Sequence, residues 1–308
     1  MKDKLPFLDY DLIEKSRGNV LYAKIMESKI SRFHNNKYDL NVDAYLKTLD
    51  LYHSRKNSGE LANNPKLPSI NEVNQLLMKN LNQEEDIILD VGGSNHQKRT
   101  GNTYSLFKQY YPLNIDAVAI ESYANTYNRV GLLASAENMP IKDKSIDCII
   151  TNAFLEHPEY PDTILNEFVR ILKPGGIVVH NDAWFCRWWQ RFGLIGFKSF
   201  NKMTLKEKSI YLLAKLSENP IIRFPPIIIG RAVEELFYST KKPIRLRYKK
   251  LKPNFNLNLG ADEHACSSID PLSVIRFYES NGFSGYEHLS LLKRIFFKKY
   301  CLIMRKAD

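Results

Sequence analysis

The sequence predicts an α/β fold, a doubly wound and mostly parallel sheet, with a helical extension before it and an insertion within it. Three observations carry this. From residue 86 onward, short apolar runs that read as strands alternate with segments of helical periodicity. The first of these strands, Ile87-Ile88-Leu89-Asp90-Val91, runs directly into Gly92-Gly93. The alternation stops after His180 and resumes near Asp270. Repeated strand-helix alternation of this kind packs as a parallel sheet between helical layers.

Taken in order, residues 1–85 contain helix-like segments at 11–30, 42–53 and 70–81, and this stretch reads as a helical N-terminal extension. The following half, 86–182, is expected to carry a strand at 87–91, a helix at 104–111, and a second strand at 115–121 that ends in Glu121. A third strand is expected at 130–134 and a fourth at 146–151, then a helix at 162–172. The turn Lys173-Pro-Gly-Gly176 leads into a fifth strand at 177–180. Residues 183–269 form an insertion, expected to be helical and rich in aromatics and prolines, which serves as a substrate lid or a membrane-interfacial segment. In the last unit, 270–308, Asp270-Pro271 caps a helix, Asn281-Gly282 stops it, and two strands complete the sheet.

Composition narrows the function classes. Lys and Arg number 44 against 34 Asp and Glu, a net charge of +10, which favours an anionic partner. Much of the excess lies in the basic run from Lys241 to Lys252 and at the C-terminal end. There is no uncharged apolar stretch of spanning length and no signal-peptide core near Met1, so a cytoplasmic protein is expected. The four cysteines are scattered with no Cys-x-x-Cys pair and read as reduced. No aromatic RNA-recognition signature appears, and nucleic acid is not expected as a partner.

The chemistry concentrates after the strands. A strand ending in an acid and running into glycines lets the backbone approach a ligand, because glycine lacks a Cβ and tolerates positive φ. Asp90-Val-Gly92-Gly93-Ser94 has that form. Glu121 supplies a carboxylate able to accept from both hydroxyls of a ribose. Downstream come Ala136-Glu-Asn-Met-Pro-Ile-Lys-Asp-Lys-Ser-Ile-Asp147, then Asn152-Ala-Phe-Leu-Glu-His157, then Leu172-Lys-Pro-Gly-Gly176. A nicotinamide dehydrogenase is disfavoured, since Gly-x-Gly-x-x-Gly is absent.

In this order the segments resemble the class I, Rossmann-like S-adenosylmethionine-dependent methyltransferases, strongly over residues 86–182 and weakly over the last forty. The resemblance implies a seven-stranded sheet and S-adenosylmethionine as cofactor. It implies that Asp90, Gly92, Gly93 and Ser94 hold the methionine end and that Glu121 with Ser122 meets the ribose. Ala136 and Glu137 would flank the adenine, with Asn152 beside the sulfonium. Ser94 stands where the family usually has a second spaced glycine, and Ser135 where many members carry an acid.

Methyl transfer to a hydroxyl needs a base, and His157, Asp182 and His264 are the candidates, with His180 and Asp262 beside them. No metal site is expected, since the spacing of Asp182, Asp262 and His264 argues against one. Trp184, Trp188 and Trp189, with Phe185 and Phe192, share helical spacing. That stripe fills a core, lids the acceptor site, or, with the Lys241 to Lys252 run, meets an anionic membrane surface at the inner face. The segment from Asp262 to Phe283 looks like the tail of bacterial polysaccharide-modifying methyltransferases, which implies O-methylation of a sugar or lipid-linked glycan in surface polysaccharide biosynthesis. An RNA, lipid or small-molecule methyltransferase and a non-catalytic binding module of the same fold stand as alternatives.

Overall fold

A computed structural model describes residues 5–9, 11, 75, 77–93, 106–114, 131–186, 201, 203–237, 244–251, 265–286, 288–297 and 301–308. Strand β1, Ile87–Val91, is buried along its whole length. That is why it reads as an unbroken apolar run, as a central parallel strand covered on both faces must. It pairs in parallel with β2, Gln109–Asn114, on one side and with β4, Ile146–Asn152, on the other. Strand β3, Leu132–Leu133, adds outside β2, and β5, Leu172–Asn181, outside β4, both parallel. Two late strands, β8 at Phe283–Ser284 and β9 at Leu302–Lys306, close that edge antiparallel, giving the order β3-β2-β1-β4-β5-β9-β8.

Strand alternation divides the core into two layers. Leu89, Val91, Ile149 and Val178 point to one face with helices α1, Pro161–Ile171, and α4, Pro271–Ser280; Ile88, Cys148, Ile150 and Val179 point to the other with Leu77 and Phe107. In α1 the buried side chains are Pro161, Ile164, Leu165, Phe168 and Ile171, one stripe at helical spacing. Asp270 caps α4 by accepting from Leu272 N at 2.9 Å, as Asp-Pro predicts.

Three expectations are corrected. Gln109–Asn114 is a strand, where residues 109–111 were expected to end a helix, and the strand expected at 115–121 lies outside the described residues. The sequence of β2, Gln-Tyr-Tyr-Pro-Leu-Asn, carries a proline, which a strand interior rarely holds, and so gives no strand signal. The Lys-Pro-Gly-Gly segment is part of β5, absorbed by a register shift between the Ile146–Leu172 and Cys148–Ile177 pairs. Within the insertion the chain forms α2, Leu205–Glu218, and α3, Pro220–Phe237, then an antiparallel pair of β6, Tyr248–Lys250, and β7, Ser267–Ile269. Most of the N-terminal extension lies outside the described residues. The described part at Phe7 and Leu8 is buried against the sheet domain, with Leu8 bridged to Ile141.

Candidate active site

Chain order reverses between β1 and β4: from β1 the chain winds outward to β2 and β3, and from β4 to β5. The crevice at the carboxyl ends of two such strands is where open α/β sheets bind ligands. Register places Asp90 opposite Ile150 and Val91 opposite Thr151, so the Gly92-Gly93 turn and the Asn152-Ala153 turn emerge side by side.

The β1 turn is shaped for a close approach. Gly92 has φ +80°, and a Cβ there would meet the Phe154 ring at 2.5 Å. A Cβ on Gly93 would meet Asp90 Oδ2 at 2.5 Å. Gly92 N donates to Leu113 O, and the Asn114 amide donates to Gly92 O and Gly93 O at 3.3 and 3.0 Å, so β2 holds the turn open. Behind it Asp90 is buried and accepts from the Tyr110 hydroxyl at 2.6 Å. Burial pushes its carboxyl up to about 6, and the Tyr110 bond offsets part of that rise.

At the end of β4, Ala153 adopts a left-handed φ of 49°, a strained state for a residue with a Cβ that costs on the order of 1 kcal/mol. The strain is held by the carboxylate of Asp182, just past β5. Its Oδ1 accepts from Phe154 N and Leu155 N at 2.9 and 3.2 Å, and its Oδ2 accepts from the Thr151 hydroxyl at 2.6 Å. His180 Nδ1 lies 2.7 Å from Thr151 Oγ1 and 3.2 Å from Asp182 Oδ2, and its Nε2 lies 2.9 Å from the Tyr278 hydroxyl. A proton on Nδ1 bonds to Asp182, Thr151 donates to the same carboxylate, and the Tyr278 hydroxyl completes the chain at Nε2. Burial alone would raise the Asp182 carboxyl, but hydrogen bonds from His180, Thr151 and Phe154, with the His180 charge, hold it below its usual range. Burial and the Asp182 charge push the Tyr278 hydroxyl well up.

The catalytic candidates therefore separate. Asp182 and His180 are buried and spend their polar atoms on β4, the turn after it and α4, so their geometry positions the loop. His157 differs: its side chain is 34% exposed, and its Nε2 lies 3.9 Å from the buried Glu156 carboxylate. The sequence reading missed Glu156, although it adjoins His157 within Leu-Glu-His. The Glu156 carbonyl accepts from Cys266 N and Ser267 N at 2.7 and 3.0 Å, which ties the loop to β7. His264, Ser94, Glu121 and Ser122 lie outside the described residues, as do Trp188 and Trp189. Trp184 packs against the main core and edge-on to His180, the core role among its three expected ones.

The remaining cofactor candidates line the same edge. Asn152 accepts from the Asn181 amide at 3.2 Å, joining the ends of β4 and β5. Ala136 is buried, and Glu137 is half-buried with its backbone N–H donating to Ser135 Oγ at 3.2 Å, in the loop after β3.

Residues 89–180 match the family model of the methyltransferase domain. The match runs from Leu89 within β1 to His180 within β5, so it covers both turns. The chain is also 29% identical over 114 residues to a malonyl-[acyl-carrier protein] O-methyltransferase of Marinomonas sp. (strain MWYL1), covering 34% of this chain. The chain thus spans 40% of that relative's length. Among solved structures, the YcgJ protein of Bacillus subtilis is 13% identical, covering 70% of this chain and 69% of its own at a TM-score of 0.39. The geranyl diphosphate C-methyltransferase of Streptomyces coelicolor A3(2) is 16% identical, covering 36% and 44% at a TM-score of 0.30.

Proposed function

We propose that the chain is an S-adenosylmethionine-dependent methyltransferase that methylates a hydroxyl of a sugar or lipid-linked glycan acceptor. One observation carries the cofactor half: the Gly92-Gly93 turn, where neither residue has room for a Cβ, opens beside a buried carboxylate within the segment that matches the methyltransferase domain. That cradle fits the methionine end of the cofactor, which the backbone at the turn and the Asp90 carboxylate would hold. Bound there, the cofactor supplies a methyl group already activated on sulfur.

The chain's own residues then orient and deprotonate. Asn152 and Asn181 mark the floor between β4 and β5, and Asp182 holds the adjoining turn in its strained form. His157 is the side chain best placed to take the acceptor proton, with Glu156 behind it to stabilise the cation that forms. Placing the acceptor and the base supplies much of the rate, since the displacement itself needs little further activation. Two things support an oxygen acceptor, the presence of such a base and the O-methyltransferase name of the Marinomonas relative. The glycan part rests on the resemblance of the segment from Asp262 to Phe283 to polysaccharide-modifying methyltransferases.

The test uses labelled S-adenosylmethionine with lipid-linked glycan, protein and RNA fractions as acceptors. Label in the glycan fraction, abolished by Asp90→Ala and greatly slowed by His157→Gln, is the expected result. Label in protein or RNA alone would overturn the acceptor, and calorimetry showing no cofactor binding would overturn the enzyme reading.

A further inference from the structure

Helix α3 is built inside out. Its inward stripe, spaced by three and four residues, contains Arg231 and Glu235, whose side chains are only 5% and 6% exposed. Arg231 forks onto Asp270 at 2.8 and 2.9 Å and donates to the carbonyls of Ile295 and Phe297. Glu235 receives Arg276 and Arg294, and Arg294 also forks onto Glu279 at 2.7 Å. This network pins α3 to α4 and to the short helix α5, Leu291–Ile295. The outward stripe holds Ile222, Pro226, Ile229, Val233, Leu236 and Phe237, all exposed, with Ile229 at 63% and Phe237 at 83%. Helices α2 and α5 both lie against α3, and each adds exposed apolar side chains: Leu212 and Leu216 from α2, Leu291 and Leu292 from α5, with Phe296 at its C-cap.

A helix that spends its ion pairs inward and leaves apolar residues outward is stable in water only at a cost, unless an apolar phase covers it. Among the described side chains, the exposed charges bordering this face are cations. Lys206 and Lys293 are exposed beside Leu205 and Leu292, and among the described side chains of the three helices no acid is exposed. No helix among the described residues is long and apolar enough to cross a bilayer.

We propose that the α2–α3–α5 face docks flat on an anionic lipid bilayer, with its apolar side chains at the acyl boundary and its lysines on the headgroups. The complementary charge selects lipid over a second copy of a chain that itself carries +10. Helix α3 meets the site with its inward side. The guanidinium groups of Arg223 and Arg231 lie 5.8 and 5.6 Å from the ring of Phe185, four residues past the end of β5. Docking in this way anchors the helix that borders the end of β5, which on the methyl-transfer reading suits an acceptor carried on a lipid.

The experiment is co-sedimentation of the full chain with vesicles of phosphatidylcholine, alone or mixed with phosphatidylglycerol. Binding to the mixed vesicles is expected to fall about tenfold for the triple variant Ile229→Asn, Val233→Asn, Phe237→Asn, and to weaken with salt and in Lys206→Glu with Lys293→Glu. Circular dichroism checks that each variant is folded. Absence of wild-type binding, or binding that the triple variant retains, overturns the proposal. A wild-type dimer in light scattering that the triple variant makes monomeric, without vesicle binding, assigns the face to a second copy and also overturns it. Calorimetric titration of S-adenosylmethionine into the same preparations reads the cofactor site separately, so docking and methyl transfer fail independently.

Discussion

The Tyr110 hydroxyl donates a 2.6 Å hydrogen bond to Asp90 Oδ2 beneath the Gly92-Gly93 turn. A buried acid with one donor is held partway between neutral and ionised, and that sets the pH behaviour of the site. Burial pushes Asp90 up to about 6 from 3.8, so its ionisation is disfavoured by folding. The stability it confers in neutral form is full below about pH 4 and is lost as pH rises through about 6, roughly 3 kcal/mol in all. Asp90→Asn is therefore expected to raise the melting temperature of the ligand-free protein at pH 8 and to flatten its pH dependence, measured by calorimetry. Cofactor affinity in the wild type should fall as pH drops below about 6, because a cationic ammonium binds the ionised carboxylate. Tyr110→Phe should move that loss of affinity to higher pH.

Gly92→Ala is expected to cost about 1–3 kcal/mol, from positive φ and from the clash with Phe154. Phe154→Ala in that background removes the clash and leaves the backbone strain, so denaturant titration should show partial recovery only.

Asp182 gives a stability signature of opposite sign to Asp90. Its carboxyl lies below its usual range, so it stabilises the fold above the ordinary carboxylate pKa and loses that contribution as pH falls below it. Asp182→Ala leaves buried donors on Thr151 and two backbone amides and should cost roughly 3 kcal/mol or more. Thr151→Val should cost about 1–2 kcal/mol, and the double-mutant cycle of Thr151 and Asp182 should show coupling between them.

On the methyl-transfer reading Glu121, which lies outside the described residues, is the carboxylate that meets the ribose. Glu121→Gln should weaken S-adenosylmethionine binding by about tenfold or more in calorimetry. Unchanged affinity would remove Glu121 from the cofactor site.

Arg231→Met removes the guanidinium from Asp270 and from two carbonyls, leaving a half-buried carboxylate and two buried carbonyls partly uncompensated. Chemical denaturation should show a loss of about 3 kcal/mol, with α3 released from α4 and α5.

The amino-acid sequence by itself determined the sheet's centre, because local rules suffice there. Ile87–Val91 is apolar throughout since both its faces are covered, Gly92 and Gly93 stand where a Cβ does not fit, and Asp270-Pro271 caps its own helix. Only the tertiary structure decided the rest. Strand β2 carries a proline and weak alternation, and it is a strand because β1 pairs with it in parallel register. Asp182, a candidate base in the sequence, is spent on Thr151 and the backbone of residues 31 and fewer positions away once β4 and β5 lie side by side. The outward apolar stripe of α3 was legible only as hydrophobic residues; which face it presents was set by Arg231, Arg276 and Arg294 pairing with carboxylates from distant segments. Ion-pair partners that lie far apart in the chain leave no periodic trace in it, so that choice belongs to the fold.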